Sequence, residues 1–311
     1  MRCHYVPQFF LKNFATVDDP NSVFAYQRDK EPFKTTANSV AAKNDMYVFS
    51  EKATGGKKNA ELEGLFAELE GVAKPIIERI IKTARLSLSD QEFGTLCEFF
   101  GFLHTRNLAH RELLKNMITT FQKTELKIMA QDPEHLKEVL KRATNKIDAD
   151  DPAAVERLRD SILNFDQHFK VGYGKENDDY FLKQAVLIGN ELIDILFKKK
   201  WNLLLAKEGL FFVTSDNPIV LLPPPARPPF YGVGFTNGIV AIPISPHHCL
   251  FLTDDEEPSF TAPASDKGMV AINDHILFYA HQFVYAHEKS DDIKKRFQMT
   301  KAGAGQTIIV S

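Results

Sequence analysis

Hydrophobic periodicity changes along this chain of 311 residues, and that change constrains the fold more than any other feature. Apolar residues recur at helical spacing through the middle. Both ends instead carry short runs rich in β-branched and aromatic residues, separated by turn signals. Strand-like runs cover 22–28, 32–36 and 45–49 near the start, then 201–207, 210–214, 239–242 and 249–253. Glu208-Gly209 suits a tight hairpin turn between two of these runs. Strands at both ends with helices between them predict an α+β fold, in which a central helical bundle packs on a mixed or antiparallel sheet formed by the N- and C-terminal thirds. No linker is long enough to demand two domains. Residues 1–311 therefore read as a single α+β domain, with a charged helical hairpin at about 123–165.

The helical part begins at 60–84, where Leu62, Phe66, Leu69, Ala73 and Ile76 form a stripe and Glu63 and Glu70 flank one edge of it. Pro75 is expected to kink or divide this helix. Ser89 followed by Glu92 is a capping box for the next helix, which the pattern carries to Thr119 or beyond. A further helix covers 178–199, and another is expected over 266–286. The proline-rich run 223–229 reads as a stiff surface loop, and 307–310 as a loose tail or a last strand.

Composition removes several function classes. The net charge of -3 and pI near 6.4 argue against a general nucleic-acid coat protein, which would be basic. Cys3, Cys97 and Cys249 are far apart and odd in number, as expected of reduced, buried thiols in the cytoplasm. No run approaches about 18 consecutive apolar residues, so no membrane span is expected, and the N-terminus carries no secretory signal pattern. Twenty-five phenylalanines against one tryptophan point to a core built on aromatic packing.

Two short polar motifs adjoin apolar runs. His4-Tyr5-Val6-Pro7-Gln8 leads into Phe9-Phe10-Leu11-Lys12-Asn13-Phe14, and Thr214-Ser215-Asp216-Asn217-Pro218 follows Leu210-Phe211-Phe212-Val213. Polar groups held among apolar ones are hydrogen-bonded or they cost stability, so such motifs build turns, caps or sites. His4 could serve as a general base, a metal ligand or a structural hydrogen-bonding group, with Gln8 one turn on. HxH, HExxH and CxxC are all absent, so no dedicated zinc site is expected. Asp216 follows a strand, where a side chain can point into a cleft. The same Ser-Asp-Asn-Pro run is also good turn chemistry, and Ser215 lacks the GxSxG elbow of a serine nucleophile.

Arg106 and Asn107 fall among the phenylalanines of the mostly apolar helix that starts at Asp90. An arginine there needs a carboxylate, a phosphate or several carbonyls. It is either an anion-binding group in a cleft, supported by Asn107, or half of an ion pair with Glu63 or Glu70 that ties two helices together.

These residues resemble a bacterial family catalogued as domain of unknown function 4238, whose opening reads HYVPQ, then an aromatic and a basic residue, then NF. Leu62-Glu63, Leu69-Glu70, Arg106, Trp201-Asn202-Leu203-Leu204, Phe212 through Pro218, Pro243-Ile244-Ser245-Pro246 and Asn273 extend the likeness over nearly the whole chain. The family more often places Thr-Pro after the arginine, where this chain has Asn107. The resemblance implies kinship and carries no activity.

The leading expectation is a pocket between the central helices and the sheet. His4, Arg106 and Asp216 would be its catalytic groups, and Gln8, Asn107, Ser215 and Asn217 would bind substrate. Glu63 and Glu70 are second candidates. Arginine, histidine and a carboxylate suit hydrolysis or transfer on a phosphate-bearing substrate such as a nucleotide or RNA, with the cofactor unknown. The rival is a non-catalytic interaction protein whose polar motifs are structural and whose 123–165 surface meets a protein partner.

Overall fold

Side-chain pattern sets the elements described by the computed structural model, which covers residues 2–50, 59–143, 147–174, 178–223, 234–255 and 259–300. Near the start lie β1 (Arg2–His4), helix α1 (Gln8–Lys12), β2 (Ser22–Gln27), β3 (Phe33–Thr36) and β4 (Ala42–Asn44). Helices α2 (Glu61–Thr83), α3 (Asp90–Thr105), α4 (Leu108–Gln131), α5 (Pro133–Ala143), α6 (Pro152–Leu163), α7 (Phe165–His168) and α8 (Asp178–Lys198) follow. Next come β5 (Lys200–Leu205), β6 (Thr214–Ser215), β7 (Val220–Leu222), β8 (Ile239–Ser245), β9 (His248–Thr253) and β10 (Thr261–Pro263). Helix α9 (Asp266–Tyr279), β11 (Phe283–Ala286) and α10 (Asp291–Met299) close the described part. Helix and strand segregate along the chain, which makes this an α+β fold.

The two ends of the chain meet in one antiparallel sheet of order β3-β2-β11-β6, where β11 pairs with β2 from Phe283↔Gln27 to Ala286↔Phe24. A mixed sheet of order β10-β5-β9-β8-β7 is built within residues 200–263, with β10 parallel to β5 and the other pairs antiparallel. β1 and β4 form a small antiparallel ribbon that brings His4 opposite Ala42. Phe10, Phe14, Phe66, Phe99 and Phe100 are buried in one core with Trp201, as the phenylalanine content predicts. Helices α3 and α8 cross closely at Gly189, where an added Cβ would lie 2.7 Å from the ring of Phe102.

Backbone contacts divide the chain into two compact units. One comprises the described residues up to Arg111 together with those from Asp178 to Thr300. The other, Glu112–Asn177, is helical and has an apolar cluster of its own around Leu136, Leu140, Val155 and Ile162.

Several sequence expectations are corrected. The helix that starts at Asp90 does not run to Thr119. It ends at Thr105, and α4 starts afresh at Leu108 because Asn107 Oδ1 accepts the N–H of His110 (2.8 Å), a capping bond that a through-going helix would lack. Residues 45–49 are not a strand: the paired segment is β4, and Asp45 leaves it with a left-handed φ of 53°. Of 210–214 only Thr214 enters a strand. The N–H of Phe212 goes instead to Pro246 O and that of Val213 to Asn273 Oδ1. Gly209 does turn the chain, at φ 75°, but the strands on either side pair with other partners. Helix α2 continues through Pro75 undivided, and the helix expected over 266–286 stops at Tyr279. Most of the proline-rich run and the segment 307–310 lie outside the described residues.

Candidate functional site

One polar cleft of about 570 Å³ opens beside α2. Five of its lining residues, Glu63, Ala67, Glu70, Gly71 and Lys74, come from that helix. Their spacing of four, seven, eight and eleven residues from Glu63 puts them on one face, while Phe66, Ala73, Ile77 and Ile80 turn into the core. The rest of the lining is Arg2, His4, Gln8, Phe9 and Asn38. The first polar motif thus reaches the cleft from β1 and the first turn of α1, and Asn38 comes from the loop between β3 and β4.

The chemistry of His4 follows from one bond. Its Nε2 lies 3.2 Å from the main-chain oxygen of Asn38. A carbonyl only accepts, so Nε2 is the donor in this bond, and in the neutral ring Nδ1 is then the acceptor. Glu63 lies in a drier position: burial raises its carboxyl above the ordinary carboxylate range, against the opposing pull of a hydrogen bond from the Cys3 thiol and the charge of Arg106. Glu70 Oε1 accepts from Arg106 Nη2 at 2.8 Å.

Arg106 is 4% exposed and does not line the cleft; it reaches the wall through Glu70. Its guanidinium carbon sits 5.0 Å from the centre of the Phe66 ring, and the Tyr47 hydroxyl donates to its carbonyl at 2.9 Å. Of the two sequence readings of Arg106, the geometry is that of the ion pair between α2 and the end of α3.

Asp216 lies elsewhere. It is buried, and its carboxylate accepts three backbone N–H groups, from His281 (2.8 Å), Gln282 (2.7 Å) and Phe283 (2.9 Å). Those bonds stop α9 and start β11, which is why helix gives way to strand there. Burial pushes the Asp216 carboxyl up while the three N–H groups pull it down. Ser215 Oγ donates to Asn217 O at 2.8 Å and accepts the Asn217 N–H at 3.1 Å, closing the local turn. The Asn217 amide donates to Tyr279 O (3.1 Å), and its oxygen accepts from Asn107 Nδ2 (3.0 Å). The structure therefore brings His4, Gln8, Glu63 and Glu70 into one cleft. Asn107, Ser215, Asp216 and Asn217 are committed to internal hydrogen bonds outside it. Arg2, Asn38, Gly71 and Lys74 were not among the sequence candidates. Lys74 was legible in principle, four residues beyond Glu70, whereas Asn38 carries no sequence signal.

Asn107 also adjoins two histidines, His104 and His110, whose rings lie 5.6 Å apart. Both ring nitrogens of His110 and Nδ1 of His104 are buried without a hydrogen-bond partner among the described residues. Burial lowers His110 to about 4 and, with the neighbouring His110 ring, His104 to about 3. In the unfolded chain both take up a proton near pH 6.5. Their contribution to stability is thus complete above that pH and is lost as pH falls toward the folded values. Urea unfolding at pH 7 and at pH 4.5 is expected to show a loss on the order of 2–3 kcal/mol from His110. The His110→Leu variant should lose less than the wild type over the same interval, and parallel profiles would show that the ring is not held neutral.

Among the described residues no group of three or more His, Cys, Asp or Glu side chains is arranged to hold a metal ion, and no helix is long and apolar enough to cross a membrane. A family model described as "Protein of unknown function (DUF4238)" matches residues 2–290. The chain belongs to the DUF4238 family. That match takes in the His4 motif and the Asp216 motif, as well as the α2 face that lines the cleft of this DUF4238 protein. No curated protein and no solved structure matches the chain.

Proposed function

We propose that the α2 cleft of this DUF4238 protein is an acid–base site for hydrolysis or group transfer on a phosphate-bearing substrate, a nucleotide or an RNA end. The observation that carries the reading is one cleft lined both by a histidine whose Nε2 donates to a main-chain carbonyl and by a carboxyl raised by burial. His4 Nδ1 takes the proton from an attacking water or hydroxyl, whose oxygen bonds to phosphorus. In its protonated form, which burial favours, Glu63 gives its proton to the leaving oxygen as the old P–O bond breaks. Arg2 and Lys74 supply positive charge to an anionic substrate, and Gln8 offers an amide for its polar groups. Arg106, a catalytic candidate by sequence, serves here by neutralising Glu70, which would otherwise repel phosphate. The test is turnover of a panel of nucleoside phosphates and short RNAs by the wild type and by His4→Ala. The reading requires loss of turnover in the variant with an unchanged melting temperature, and full activity in His4→Ala would defeat it.

A second, non-catalytic reading draws on a specific observation: the Arg106 ion pair and the three bonds to Asp216 are closed, as in groups that fix a fold. In that case a protein partner would meet the helical unit at 112–177, where Phe121 and Ile128 of α4 stand exposed. Both readings share one expectation. Arg106→Ala should lower stability by about 2–4 kcal/mol in urea unfolding, since the substitution leaves Glu70 unpaired and empties the space over Phe66. They separate at Glu63, which matters for turnover in the first reading and for nothing in the second.

A further inference from the structure

Cys3 sits between two lining residues of the cleft, Arg2 and His4, yet is itself fully buried and does not line it. Strand alternation turns its side chain away from theirs, so its thiol reaches Glu63 from inside the protein. A buried cysteine usually acts as a small apolar side chain. Cys249 comes close to that, since its thiol donates only to the neighbouring carbonyl of Leu250. Cys3 differs. Its sulfur accepts the N–H groups of Met46 and Tyr47, and its S–H donates to the Glu63 carboxyl. The backbone is shaped for this contact. β4 pairs with β1 opposite Cys3, at Lys43, and Asp45 then turns left-handed at φ 53°. A left-handed residue in a turn aims successive N–H groups at one point, and here that point is the sulfur. The other carboxyl on this helix face, Glu70, is held by Arg106. The thiol holds Glu63 in the corresponding way.

We infer that Cys3 is the positioning residue of Glu63: the thiol, fixed by two main-chain N–H groups, orients the carboxyl in the cleft and controls whether it keeps its proton. This rests on the acid–base reading of the cleft, in which Glu63 is the proton donor. A hydrogen bond given to a carboxylate favours the ionised form. Cys3 therefore opposes burial, which favours the neutral form, and Glu63 can both hold a proton and release it. The charge of Arg106, at the end of α3, works in the same direction as the thiol, and that of Glu70, on the same helix, works against it. The Tyr47 hydroxyl, beyond β4, feels the Glu63 charge in turn, and Arg2, His4 and Lys74 share the cleft. Among the described residues, Cys3 is the one that gives the Glu63 carboxyl a side-chain hydrogen bond.

The experiment is a pH titration of the Glu63 carboxyl by carbon NMR on the full chain, its resonance assigned by its absence from Glu63→Gln. The wild type is compared with Cys3→Ala, Cys3→Ser and, as a control, Cys249→Ala. No substrate enters, so the result is independent of turnover. In Cys3→Ala the midpoint should rise by about 0.5–1 on the pH scale, roughly a three- to tenfold change in the ionisation constant. Serine keeps a donor, so Cys3→Ser should titrate at or below the wild-type midpoint, and Cys249→Ala should match the wild type. A purely structural cysteine would not give this order. For a substrate that is turned over, the alkaline limb of the rate should move to higher pH in Cys3→Ala, and a limb that stays in place would remove Cys3 from the reaction. A midpoint unchanged in Cys3→Ala, or raised equally in Cys3→Ser, overturns the proposal and leaves the acid–base reading standing. Failure of that reading shows separately, as unchanged kcat in Glu63→Gln. Should Cys3→Ala not fold, the S–H stretching band decides. It must shift as the carboxyl ionises in the wild type and hold still in Glu63→Gln, and a band alike in both proteins overturns the proposal.

Discussion

Asp216→Ala is expected to cost the fold about 3–5 kcal/mol, among the largest effects of any single substitution in this chain. Three backbone N–H groups, those of His281, Gln282 and Phe283, converge on its carboxylate at 2.7–2.9 Å. Alanine leaves all three without an acceptor in a buried corner, and each such loss costs about 1–3 kcal/mol. Part of that sum is returned, because the carboxylate no longer has to be kept dry. Asp216→Asn should not restore the wild type. Its amide keeps one oxygen but turns an NH2 group toward donors. The effect is local as well as global: amide exchange at 281–283 should accelerate before the rest of β11 does. Urea unfolding of Asp216→Ala within 1 kcal/mol of the wild type would show that the corner between α9 and β11 is held by something else.

Glu63→Gln is expected to lower kcat by about 10²–10⁴-fold while the melting temperature stays near that of the wild type. Glutamine keeps the shape of the side chain and can still accept from Cys3, but it has no proton to give a leaving oxygen. Because burial raises the Glu63 carboxyl, the wild-type rate should fall as pH rises through that elevated value, and the residual rate of Glu63→Gln should lack this alkaline limb. Unchanged kcat in Glu63→Gln would remove the acid from the mechanism. The non-catalytic reading would then be favoured, with the exposed Phe121 and Ile128 of the helical unit as its first surface to probe.

Local structure is legible in the residues alone. The apolar stripe of α2, the Ser89–Glu92 capping box of α3 and the strand run at 22–27 all follow from periodicity and from residue types that satisfy their own neighbours. The α+β class follows from the order of those segments. The two polar motifs were recognisable for the same reason, since polar residues beside apolar runs must bond to something. Which partner they bond to was settled only in three dimensions. Asp216 could have faced a cleft, but the three N–H groups that hold it come from residues 65–67 positions away, beyond the reach of any pattern. Arg106 required an anion, and only the packing of α2 against α3 selected Glu70 over a ligand. His4 acquired its tautomer from the carbonyl of Asn38, a main-chain atom that every residue type carries and that leaves no mark in a sequence. Periodicity reports which side of an element is dry, because burial acts on each segment separately. The partners of hydrogen bonds and ions depend on which segments meet, and that is decided by the packing of the whole chain.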